Sequence, residues 1–187
     1  YTEDNVVGMV MFYNMPTLRS LSLPSNTTKI GDWAMSQQNN STYRLSHIDI
    51  PAGVTEIGRD AFRRTAITEV TIPAGVTRLE DETFYECNKL QKATLPDGIT
   101  YIGNGCFSED KELLDVNMPT SLEAIGEYAF YGNEKRSTPI VFPATLKSIA
   151  AHAFRNNYRV KSITFNNGLE SLGSWAFSDC SDVESND

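Results

Sequence analysis

Prolines recur along this chain at an almost fixed step. They stand at Pro24, Pro51, Pro73, Pro96, Pro119 and Pro143, and Asn166 takes the next slot, at intervals of 27, 22, 23, 23, 24 and 23 residues. An apolar-x-apolar triplet precedes each slot, as in Ile48-Asp49-Ile50, Val70-Thr71-Ile72 and Val116-Asn117-Met118. Eleven residues after each slot comes a large apolar residue: Met35, Phe62, Phe84, Phe107, Phe130, Phe154 or Phe177. That distance never changes, whereas the return to the next slot varies from 11 to 16 residues. One half of each unit is therefore rigid and the other absorbs insertions. A unit of ~23 residues cannot bury its own apolar face, but a stack of units can, so the repeat points to a solenoid.

Other special residues follow the same columns. Glycine falls in two of them, Gly53, Gly75, Gly98 and Gly168 in one, and Gly8, Gly31, Gly58, Gly103, Gly126 and Gly173 in the other. The triplet has the two-residue alternation of a half-buried strand. Proline ends that strand because it cannot donate to a ladder, and proline with the following glycine makes a turn. A second short extended piece, V-T-x-I-G, comes next. In A-F-x-x-C the apolar groups lie three or four apart, which predicts one helical turn.

With these residues in hand, the unit resembles the leucine-rich repeat, in particular the BspA-like (Treponema-type) subclass. Ile57-Gly58-Arg59-Asp60-Ala61-Phe62 and Ile125-Gly126-Glu127-Tyr128-Ala129-Phe130 carry its I-G-x-x-A-F signature. The pattern departs at Met35, Thr83, Cys106, Glu80, Ala150 and Asn166, each an isolated change within a good repeat. The expected fold is an α/β, mainly short-stranded, right-handed leucine-rich-repeat solenoid of about seven repeats. A parallel sheet should line one face and short extended pieces and helical turns the other. We expect one domain over 1–187, with 1–17 a partial first repeat and 181–187 an acidic tail that blunts the last rung by charge. The chain should begin inside a longer array or after a trimmed leader. The resemblance implies a bacterial, secreted or cell-surface protein that adheres to host proteins or other cells.

Stacking would set equivalent residues of successive repeats side by side. Glu69, Lys92 and Asp115 then alternate in sign, as do Lys29, Glu56 and Arg78, and Glu123, Lys147 and Glu170, a favourable order between neighbouring strands. His47 should sit beside Glu69. The outward strand residues form a small polar ladder that includes Asp49, Thr71, Thr94, Asn117 and Thr164, with no aromatic or arginine anchor for a strong pocket. Trp33, Tyr128 and Trp175 share a column just before the alanine slot. Tyr13, Tyr85 and Tyr131 share another just after the phenylalanine slot. Both lie on the turn side, either as lateral packing or as a platform for a protein or glycan. The longest insertion, Ser36 to Tyr43, is a second candidate carrier of function.

The remaining chemistry is sparse. The formal net charge is −8, which argues against a nucleic-acid partner and against an anionic membrane surface. No apolar run approaches the ~18 residues of a membrane span. Two histidines and three cysteines leave little for a metal centre or a Cys/His pair. Cys87 and Cys180 share one column and Cys106 fills an alanine slot, so three buried thiols are expected. No nucleophile elbow, phosphate loop or metalloprotease motif is present. The sequence thus predicts a non-catalytic, cofactor-free monomer. The expected function is that of a protein-interaction module, for which the resemblance implies adhesion to host or neighbouring-cell proteins, with a rigid spacer segment of a larger surface protein as the alternative.

Overall fold

The computed structural model describes residues 5–38 and 44–181. Among the described residues fifteen strands, β1 to β15 in chain order, alternate between two faces of a stack of rungs. The even strands are those before the proline slot: β2 (Ser20–Ser22), β4 (His47–Asp49), β6 (Glu69–Thr71), β8 (Lys92–Thr94), β10 (Asp115–Val116), β12 (Ile140–Val141) and β14 (Ile163–Thr164). The odd strands are the second extended pieces: β1 (Val6–Val7), β3 (Lys29–Ile30), β5 (Glu56–Ile57), β7 (Arg78–Leu79), β9 (Tyr101–Ile102), β11 (Ala124–Ile125), β13 (Ser148–Ile149) and β15 (Ser171–Leu172). All pairing is parallel and in the register of the repeat: Glu69 lies opposite Lys92, Lys92 opposite Asp115, and Lys29 opposite Glu56.

The second piece makes the more continuous sheet. The odd strands form β1-β3-β5 and a five-stranded run from β7 to β15, whereas the even strands split into β2-β4, β6-β8-β10 and β12-β14. Both series are interrupted between the rungs of Pro51 and Pro73, where the return from Phe62 to Pro73 is one residue shorter than that from Phe84 to Pro96. The break between β10 and β12 coincides with Arg136, which enters the core where other rungs carry leucine and is only 1% exposed. Its Nη2 donates to Val116 O at 3.0 Å, its guanidinium lies 5.5 Å from the Phe130 ring, and burial lowers its pKa to about 10.

The expected helical turns are not there: the described residues contain no helix, and the α/β description gives way to a β-solenoid. On most rungs two residues adopt left-handed backbone, one before the alanine slot and one two after phenylalanine. They include Trp33 (φ 57), Tyr128 (φ 55) and Trp175 (φ 60), and Arg64 (φ 58), Glu86 (φ 53) and Asn156 (φ 63). A left-handed residue stops helix propagation after one turn. Each rung instead makes two successive β-turns, such as Ala34 N to Gly31 O and Ser36 N to Trp33 O. The N–H groups freed in this way reach the next rung. Glu82, Phe84 and Glu86 donate to Asn104, Cys106 and Ser108 at 2.8, 2.9 and 2.9 Å.

The core runs along the axis. Phe62, Phe84, Phe107, Phe130, Phe154 and Phe177 stack face to face with centroids 4.9 to 5.3 Å apart. The glycine before each turn is set by close approach of rungs. A Cβ on Gly126 would fall 2.7 Å from Asn104 N, and one on Gly58 2.6 Å from Asp32 N.

Candidate interaction face

The polar ladder is where the register put it. Asp49, Thr71, Thr94, Asn117 and Thr164 are all exposed on the even-strand face. Asn117 folds back along its neighbour, its Nδ2 donating to Leu95 O and its Oδ1 accepting from Leu95 N, both at 2.8 Å. A shallow hollow of about 440 Å³ lies over the break between β4 and β6, lined by His47, Asp49, Glu69 and Thr71 and by no aromatic. His47 pairs with Asp49 on its own strand, Nε2 to Oδ2 at 3.3 Å, and not with Glu69, because the two strands do not hydrogen-bond.

The turn side is built differently. Trp33, Tyr128 and Trp175 are 36%, 41% and 64% exposed, and Tyr85 and Tyr131 are half-buried. Charged residues hold them. The Arg63 guanidinium lies 4.5 Å from the Tyr85 ring and 5.7 Å from that of Trp33, bonds Asp60 Oδ1 at 2.9 Å and pairs with Glu82. Arg155 lies 5.9 Å from the Trp175 ring. Tyr128 stacks on His152 at 4.7 Å and meets Tyr131 edge-on at 5.6 Å. Burial raises the Glu82 carboxyl above its ordinary range, against the opposing charge of Arg63. Burial, then the charge of Glu86, raises the Tyr85 phenol.

The five aromatics do not form one site. Tyr85, Tyr128 and Tyr131 converge on a single cavity of about 380 Å³, Trp33 lines a separate hollow with Asp60 and Arg63, and Trp175 lies two rungs beyond Tyr128. Periodicity alone does not single out Arg63 and Arg155, and it makes His152 an ordinary variable position of I-A-A-H-A-F. The available signal was that Arg63 and Arg155 share the column of Tyr85 and Tyr131. Of the Ser36 to Tyr43 insertion, residues 39–43 lie outside the described residues, as do residues 182–187 of the acidic tail.

The cysteine column is also more than small hydrophobes. The bonds between rungs do not use the phenylalanine carbonyl, and on several rungs the residue three beyond phenylalanine on the following rung donates to it. Cys87 Sγ donates to Phe62 O at 3.1 Å, Asn133 Nδ2 to Phe107 O at 2.7 Å and Asn157 Nδ2 to Phe130 O at 2.7 Å. Asp110 sits in this column fully buried, its Oδ1 accepting from Cys87 N at 2.7 Å and its Oδ2 without a partner. Burial holds its carboxyl well above the usual range. Burial also pushes up all three thiols, Cys180 to about 11, and none is in a disulfide. Among the described residues no group of three or more His, Cys, Asp or Glu could hold a metal ion, and no helix is long and apolar enough to cross a membrane.

A family model for the BspA-type leucine-rich repeat region matches residues 5–136 and 132–187, in six copies. The chain belongs to the BspA-type leucine-rich repeat family. No curated relative matches it in sequence. Among solved structures, this BspA-type chain resembles the Treponema pallidum leucine-rich repeat protein, with a TM-score of 0.79 at 22% identity over 89% of this chain and 78% of that one. A leucine-rich repeat protein of Eubacterium ventriosum gives 0.70 at 23%, over 91% of this chain and 45% of that one. The pneumococcal vaccine antigen PcpA gives 0.63 at 20%, over 96% of this chain and 47% of that one. At these identities the likeness establishes the fold.

Proposed function

We propose that this BspA-type chain is a non-catalytic protein-interaction module of a secreted or cell-surface protein, monomeric, which adheres to host or neighbouring-cell proteins through its turn side. The observation that carries the reading is the exposure of Trp33, Tyr128 and Trp175 on left-handed backbone. A bulky residue in that conformation costs about 1–2 kcal/mol. Asp60 and Gly105 fill the same slot on other rungs, so the fold does not require an aromatic there. Aromatic rings kept on strained backbone while facing solvent point to a use outside the fold, and aromatic anchors are where interface energy concentrates. That a structural relative is a vaccine antigen supports a surface location.

The small polar even-strand face favours a second reading, a rigid spacer, which needs an inert turn side. A solid-phase screen of the chain against matrix and plasma proteins, with a glycan array beside it, tests the two. Saturable binding that Trp33→Ala, Tyr128→Ala and Trp175→Ala abolish supports adhesion through the turn side. Binding that survives all three moves the site to the strand face, and no binding to any target favours the spacer.

A further inference from the structure

The column just after phenylalanine reads Arg63, Tyr85, Ser108, Tyr131, Arg155 on five successive rungs. Between the two tyrosines is a serine; on the outer rungs Arg63 lies over Tyr85, whereas Arg155 turns to Trp175. On the same rung as Ser108, the left-handed slot is held by Gly105 (φ 58), between Glu82 and Tyr128 on the neighbouring rungs. Two adjacent columns thus drop to minimal side chains on one rung, and the result is the cavity of about 380 Å³ with Gly105 and Ser108 as its floor.

The dimensions of this notch suit a cation. The phenylalanines of the same three rungs are spaced 5.2 and 5.3 Å apart, so the tyrosines two rungs apart stand about 10 Å from one another. A cation midway lies about 5 Å from each, inside the ~6 Å over which a cation is held by an aromatic face. Arg63, on the rung before Tyr85, lies over that ring at 4.5 Å, and Tyr85 also lines the notch. The electrostatics agree. Four carboxylates line the notch, Asp81, Glu82, Glu109 and Glu127, against one cation, Arg59. Arg59 is engaged by Asp81 at 2.9 Å, Arg63 pairs with Glu82 from behind, and Lys111 approaches Glu109 at 3.6 Å. Glu127 stands at the mouth, exposed and in no ion pair among the described residues. The chain itself demonstrates the chemistry one rung earlier, where a guanidinium is held by Tyr85 together with Asp60 and Glu82.

We propose that the notch between Tyr85 and Tyr131 is a socket for an arginine side chain of a partner protein, whose guanidinium lies between the two rings and pairs with Glu127. This inference rests on the protein-interaction reading and adds the chemistry of the partner.

The test titrates the whole chain, at near-physiological salt, with a short acetylated and amidated peptide carrying one arginine among glycines. The same peptide with citrulline, uncharged and nearly isosteric, is the comparison, and binding is read by shifts of tyrosine ring resonances. The arginine peptide should bind about tenfold or more tightly than the citrulline peptide. Tyr131→Leu and Glu127→Gln should each reduce that binding severalfold while leaving the melting curve cooperative. Ser108→Arg should abolish it by filling the notch from within. Equal binding of the two peptides, binding unchanged in Tyr131→Leu and Glu127→Gln, or no binding at all overturns the socket. The two readings fail separately: a protein ligand lost with Trp175→Ala but retained by the notch variants leaves the interaction face standing and removes the socket.

Discussion

Along the even-strand side, hydrogen bonding stops between β4 and β6 and again between β10 and β12. Along the turn side, three N–H···O=C bonds cross each of the same junctions: Asp60, Phe62 and Arg64 to Asp81, Thr83 and Tyr85 at the first, and Tyr128, Phe130 and Gly132 to Ala151, Ala153 and Arg155 at the second. The stacked phenylalanines run beneath the turns without a gap. The strands are where the repeat tolerates a residue gained or lost. The turns are where it does not, and the invariant eleven-residue spacing ends at their phenylalanine. The fixed side can therefore carry large, charged and strained side chains outward without losing register, while the tolerant side keeps small polar ones.

Variants on the two sides should differ accordingly. The largest effect belongs to the phenylalanine stack. Phe107→Ala, fully buried between two rings, should cost about 3–5 kcal/mol by chemical denaturation. Next comes close approach: Gly126→Ala sets a methyl 2.7 Å from Asn104 N and should cost about 1–3 kcal/mol, read in the same experiment.

Asp110→Asn should act in the opposite direction. The folded state keeps a proton on this carboxyl that the unfolded chain releases near pH 4, so the wild type loses stability as pH rises above that point. Asparagine does not titrate and can donate to the preceding phenylalanine carbonyl, as Asn133 and Asn157 do. The variant should gain about 1–3 kcal/mol at pH 7. The gain should shrink toward pH 4, as thermal melts across that range would show; a gain independent of pH would contradict the assignment. Trp175→Gly, which relieves a left-handed tryptophan, should leave stability level or raise it by up to about 1 kcal/mol, and on the proposed turn-side reading should weaken binding in the solid-phase screen. The smallest effect is expected on the strand face, where Thr71→Ala should stay within about 0.5 kcal/mol.

Most of this architecture was legible because stacking makes one column's requirements repeat. The phenylalanine and glycine columns, the register and the alternation of Lys29 with Glu56 at 2.7 Å all follow from periodicity. The turn conformation was legible only in part. Asn14, Gly132, Asn156 and Asp179 share the second left-handed column and are residue types that tolerate positive φ. Tryptophan and tyrosine in the first column obscured the same signal, since bulky residues rarely adopt that backbone. Arg136 was not legible at all, because a charged residue in a leucine column reads as an insertion until the structure shows it bonded to Val116 O. The convergence of Tyr85, Tyr128 and Tyr131 was hidden for a different reason: it depends on what is missing from the rung between them.

The turn bonds also give the stack a sense of direction. Every amide in the ladder points toward the later rung and every carbonyl toward the earlier one. Each junction is then the same plug meeting the same receptacle, and no rung can be turned over. Such an array should lengthen or shorten by whole copies, since a duplicated rung meets on both sides the contacts it already makes. Fractional changes are confined to the return segments. Copy number is thus the inexpensive variable of this architecture, and it sets how far apart the pockets on the turn side stand.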